Sequence, residues 1–102
     1  MNLHAFATVR DHQIIRCMDI LTEKADEYAT DDRLHNFRVA AELEGVTVRQ
    51  ALAGMMAKHT ISIYDMCKDP VVYPIVLWDE KITDHINYLL LLRAVVEEES
   101  QK

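Results

Sequence analysis

The chain has 102 residues, half of them apolar, with a formal net charge of −6 and a pI near 5.2. That length fits one domain whose core has little apolar surface to spare. The acidic balance excludes a protein that grips a nucleic acid polymer by its phosphates, which needs clustered Lys and Arg; free nucleotides stay open, because a metal ion can supply the positive charge.

Cys17 and Cys67 lie apart, inside apolar periodic segments, and form no C-x-x-C pair, so two reduced, buried thiols are expected. The opening "MNLHAFATVRDH" shows neither a basic leader nor an unbroken apolar run, and no segment approaches the ~20 apolar residues that span a bilayer. A soluble, cytoplasmic protein with no membrane partner is expected. Two glycines and two prolines are too few for an all-β chain that must turn every few residues. The expected fold is all-α, a single domain over 1–102 built as a four- to five-helix bundle.

In chain order, Ile14, Met18, Leu21, Ala25 and Tyr28 recur at helical spacing and predict one long amphipathic helix from about Thr8 to Ala29. "TDD", Thr30 to Asp32, offers N-cap residues for a shorter helix whose face is Leu34, Phe37 and Ala41, with Val39 and Leu43, and which Gly45 ends. Thr47 and Gln50 form the capping-box pattern T-x-x-Q, opening a third helix to about Met66 with Ala51, Leu52, Met55, Met56 and Ile63 inward. "CKDPVVYPIVLWD", Cys67 to Asp79, carries Pro70 and Pro74 and predicts a non-helical connector packed against the bundle. The last helix then runs from Trp78 or Asp79 to about Glu98, followed by a frayed tail over 99–102.

The predicted core is Leu34, Phe37, Leu52, Met56, Ile63, Ile86 and Leu90. Leucines 89 to 92 point in every direction around the last helix, which a lone small bundle rarely covers. A homo-oligomer is therefore expected; the alternative is that the connector covers the extra face.

Three stretches carry polar groups suited to chemistry. Asp19, Glu23, Asp26 and Glu27 gather on one side of the first helix, as the acids of any solvated helix do, with Lys24 at hand to pair with them. On the last helix Glu80 and Asp84 stand four apart, with Asn87 continuing the stripe and no basic residue following at the spacing that would relieve them. Two readings stand here: a shared divalent cation, or a solvated first turn favoured by the helix dipole. "KHTISIYD" sets Lys58, Ser62 and Asp65 along one stripe, where a lysine can meet phosphate oxygens. His35, His59 and His85 are read as ordinary, partly buried histidines, since none stands in a zinc-like cluster. No Gly-rich phosphate loop or nucleophile elbow occurs.

The order "TEKADEYA", "LHNF", "MMAKHTISIYDM" and "WDEKITDHINYLLLL" resembles the small phage and prophage proteins grouped as nucleotide-modification-associated. More distantly it is similar to the all-α, MazG-like nucleoside triphosphate pyrophosphatases. The resemblance runs from Thr22 to Leu92 on short motifs. It implies a helical dimer or tetramer that holds Mg²⁺ with acidic pairs on two helices and splits a nucleotide between its α and β phosphates. Carried over by position, Glu23 and Asp26 take the first pair, with Glu27 before Tyr28, and Glu80 and Asp84 take the second, spaced one residue wider than the family's pattern.

Together these readings predict Mg²⁺-dependent binding or pyrophosphohydrolysis of a nucleoside phosphate in phage or prophage nucleotide metabolism. Glu23, Glu27, Glu80 and Asp84 would hold the metal, Lys58 would steady the phosphates, and Asn87 would orient the base, the sugar or a carboxylate. The competing expectation is a non-enzymatic helical phage protein whose acidic face docks on a basic partner.

Overall fold

The computed structural model describes residues 1–27 and 31–101. Four α-helices pack together, α1 (Leu3–Ala25), α2 (His35–Glu44), α3 (Val48–Lys68) and α4 (Ile75–Ser100), and the described residues contain no strand. None of these helices is long and apolar enough to cross a membrane.

The helix ends follow local chemistry. Asn2 caps α1, its side-chain oxygen accepting from the Ala5 amide at 2.8 Å, so the helix begins five residues before the expected Thr8. Its expected continuation through Tyr28 and Ala29, and the cap offered by Thr30, fall outside the described residues. At the start of α2, Asp32 Oδ1 accepts from the Leu34 amide at 3.0 Å. Gly45 closes that helix at φ 69°, the left-handed region where a side chain is strained. The capping box of α3 is complete: Thr47 accepts from the Gln50 amide and Gln50 accepts from the Thr47 amide.

Two expectations for the C-terminal half need correction. The connector spans only 69–74, because Pro74 sits at the N-cap of α4, where a missing N–H costs nothing. Nor does it lie against the bundle: Val71 and Val72 are exposed, and the turn closes on itself through Asp69, which accepts from the Val71 amide and the Tyr73 hydroxyl. The tail is also helical to Ser100, held where Glu98 pairs with Arg38 at 2.8 Å and Glu99 with Arg49 at 2.9 Å.

The core lies in the corner where α2, the start of α3 and the end of α4 meet. Leu34, Phe37, Leu52 and Val95 are buried there, with Val48, Met55, Tyr88, Leu91 and Leu92 packed around them. Of the remaining predicted core, Met56 and Ile63 on α3 and Ile86 on α4 are only half-buried, and Leu90 is exposed on the side of α4 that no other helix covers. Leu91 and Leu92 are thus covered by their own chain, whereas Leu89 and Leu90 are not. Val39 and Leu43 are exposed on α2, and Cys67 is exposed while Cys17 is buried.

α3 and α4 run antiparallel, with Thr60 against His85 and Arg49 against Glu99. α1 runs parallel to α4 and packs on no other helix. This arrangement leaves a cleft between α1 and the α2–α3 pair, floored by α4.

Candidate functional site

The seam that attaches α1 is polar. Gln13 donates to the Thr83 hydroxyl at 2.8 Å, and one turn later Asn87 Nδ2 donates to the Cys17 carbonyl at 3.3 Å. Thr83 and Asn87 are the buried polar residues of the described chain, and both face α1. Arg16 extends the seam, donating to Gln13 Oε1 and pairing with Asp79 at 3.4 Å. Buried hydroxyls and amides are tolerated only when paired, and here α1 and α4 pair them with each other.

Two buried side-chain atoms of this seam stay without a hydrogen-bond partner, Arg16 Nε and Asn87 Oδ1. Asn87 Oδ1 is buried and accepts no hydrogen bond. The donation of Nδ2 to a carbonyl fixes the amide's orientation, because a flipped amide would set oxygen against oxygen. An unsatisfied buried acceptor costs about 1–3 kcal/mol, so its place beside a cavity asks for a reason.

That cavity is the cleft left by α1. It measures about 140 Å³ and brings Lys24 of α1, Arg33, Phe37 of α2 and His59 of α3 together with Asp84, Asn87 and Tyr88 of α4. Its wall is aromatic: the His59 ring lies 4.8 Å from Tyr88 at 36°, and Phe37 meets Tyr88 edge-on at 6.3 Å. Burial holds the His59 imidazole below its ordinary pKa, against the opposing pull of Asp84. A volume near the ~150 Å³ that admits a benzene ring leaves room for one planar ring.

A second cavity of about 310 Å³ adjoins it, sharing Ile20 and Asp84. Arg16, Asp19, Asp79, Glu80 and Thr83 complete its lining. Asp84, half-buried, thus stands between a ring-sized pocket and an acidic groove.

The structure unites part of the predicted set. Glu80 and Asp84 share the groove, and Asp84 and Asn87 share the pocket. Glu23, Glu27 and Lys58 are exposed and line neither cavity. Asp19, one turn before Glu23 on α1, lines the groove instead, and Lys24, next to Glu23, lines the pocket. Lys24 falls on the line that Gln13, Cys17 and Ile20 draw along α1 at 3.6-residue spacing, and Asp19 stands beside that line.

Among the described residues no group of three His, Cys, Asp or Glu side chains converges as a metal cage. What the groove offers is a carboxylate pair, Glu80 and Asp84, and Mg²⁺ is commonly held by one or two carboxylates while waters and substrate phosphates complete its shell.

No family model, curated protein or solved structure matches this chain.

Proposed function

We propose that the chain binds a nucleoside phosphate together with Mg²⁺, the base in the ring-sized pocket and the phosphates along the acidic groove. The observation that supports this reading is the pair of adjoining cavities with Asp84 at their junction. A planar ring is suited by the Tyr88 and His59 faces, since stacking on aromatic side chains is worth about 1–3 kcal/mol per base. Asn87 then has a use for its orphaned oxygen, as acceptor for a ligand N–H after a small side-chain shift.

The groove itself argues for the ion. Asp19, Asp79, Glu80 and Asp84 would repel a bare phosphate, and the positive charge of Arg16 is already engaged with Asp79. Glu80 and Asp84 would hold the Mg²⁺, which when bound neutralises phosphate charge and polarises phosphorus toward attack by water. Lys24 lines the base pocket and not the groove, so along the groove the positive charge would come from the Mg²⁺. Hydrolysis between the α and β phosphates, with water bonding to the α phosphorus and pyrophosphate leaving, is the reaction that the family resemblance adds.

A thermal melt with millimolar nucleoside triphosphate tests the binding. Ligand at a hundredfold excess over its dissociation constant stabilises the native state by about 2.7 kcal/mol, a rise of several degrees in a domain of this size. The rise should require Mg²⁺ or Mn²⁺ and should vanish in Asp84→Asn. No rise with any of the common nucleotides in the presence of metal would sink the proposal.

A further inference from the structure

The atoms that line the ring-sized pocket restrict which base it can take. Asn87 is 6% exposed, and its Nδ2 is engaged with the Cys17 carbonyl, so the amide can offer a ligand only its unpartnered Oδ1, an acceptor. One turn earlier on α4, Asp84 brings a carboxylate to the same pocket, which also accepts and does not donate. The α4 wall therefore calls for N–H groups and opposes a carbonyl oxygen.

The other elements bring the opposite chemistry. Lys24 of α1 and Arg33, in the segment before α2, line the pocket with groups that donate and cannot accept. A ring that fits this lining has an N–H donor at one end of its polar edge and an acceptor at the other. Size restricts it further: about 140 Å³, near the ~150 Å³ that admits one benzene ring, suits a single six-membered ring and not the fused pair of a purine.

We propose that this pocket selects cytosine among the bases, an assignment that rests on the nucleoside phosphate reading and adds which ring enters. Cytosine is the single-ring base with an amino donor, and its ring nitrogen and carbonyl acceptors follow along the same edge. Its amino group faces Asn87 Oδ1 and Asp84, its carbonyl turns toward Lys24 and Arg33, and the ring lies against the wall formed by Tyr88 and His59. Uracil and thymine put a carbonyl where cytosine has the amino group, against two acceptors that have no proton to give. Their lone ring N–H is flanked by carbonyls, so bringing it to Asn87 brings an oxygen toward Asp84 as well. Adenine has the amino group but two rings.

Isothermal calorimetry on the wild-type protein with Mg²⁺ tests the selection. The ligands are the triphosphates of cytidine, uridine and adenosine, and of the pyrimidinone nucleoside that has hydrogen in place of cytosine's amino group, each with ribose and with deoxyribose. The pyrimidinone isolates the amino group and needs no change to the protein, so folding does not enter. The cytosine nucleotide should bind about tenfold or more tightly than each of the others, the difference that one buried acceptor left unpaired makes. Equal affinity of the pyrimidinone nucleotide would overturn the proposal, because the amino group would then go unread. An affinity for the uracil or adenine nucleotide equal to or above that for cytosine would overturn it too, while leaving a nucleoside phosphate site in place. No detectable binding of any of these nucleotides would remove the nucleoside phosphate reading itself, and the selection with it.

Discussion

α4 is packed on two sides and meets them with different chemistry. Toward α2 and α3 it presents Val95, Tyr88, Leu91 and Leu92 to Leu34, Phe37 and Leu52, an apolar corner with ion pairs around its edge. Toward α1 it presents Thr83 and Asn87, both buried and both hydrogen-bonded across the seam. Apolar burial is the larger and less directional source of stability, so the first corner holds the fold together. The second region gives up part of that stability for hydrogen bonds that hold in one register only, and it borders the cavities.

The comparison breaks most sharply at Leu52, which has no exposed surface. Leu52→Ala leaves a cavity in the apolar corner and should cost about 2–5 kcal/mol. In a domain of this size each kcal/mol lowers the melting temperature by about 4–8 °C. A loss under about 1 kcal/mol in denaturant unfolding would show that the corner is not the centre of stability.

The apolar corner was largely legible in the sequence, and the seam was not. Leu34, Phe37, Ala41 and Leu52 carry an apolar period that names the buried face, and Thr47, Gln50 and Gly45 mark helix ends through local chemistry that needs no partner. Ile14 and Met18 carry the same period on α1 yet lie at the surface of the chain, because periodicity identifies a face without saying what covers it. Gln13 and Thr83 carry no such signal, because polar residues on a buried line look like interruptions. The candidate site divides in the same way. Glu80, Asp84 and Asn87 share a helix and so were grouped from spacing alone, whereas choosing Asp19 and Lys24 over Glu23 and Lys58 needs the rotation of α1 against α4, a tertiary quantity.

The ion pairs at the edge of the corner give a smaller effect, read from pH. The Arg38 guanidinium, with help from the Leu34 amide, holds the Asp32 carboxyl down to about 2 from its ordinary 3.8. A carboxyl depressed in the folded state contributes stability that is complete above its unfolded value and is lost as pH falls toward the folded one. The wild type should therefore lose stability between about pH 4 and pH 2, and Arg38→Met should lose less over that window. Because the pair is partly exposed, salt should narrow the difference. Equal slopes in acid titrations of the two proteins would show that Arg38 does not set the Asp32 titration.

The smallest effect on stability is expected at Asn87, where the comparison is sharpest. Asn87→Leu removes one hydrogen bond to the Cys17 carbonyl, worth about 1 kcal/mol, and at the same time removes a buried acceptor whose lack of a partner costs about as much. The terms offset, so chemical denaturation should place the variant within about 1 kcal/mol of the wild type, even though the residue is as buried as Leu34. Nucleotide-dependent stabilisation should nevertheless disappear, because the pocket loses its acceptor while Asp84 and the aromatic wall stay in place. A loss of several kcal/mol would instead make Asn87 a structural lock on α1, its oxygen satisfied by an ordered water. A variant that stays stable and still responds to nucleotide would leave the pocket in place but move ligand recognition away from Asn87.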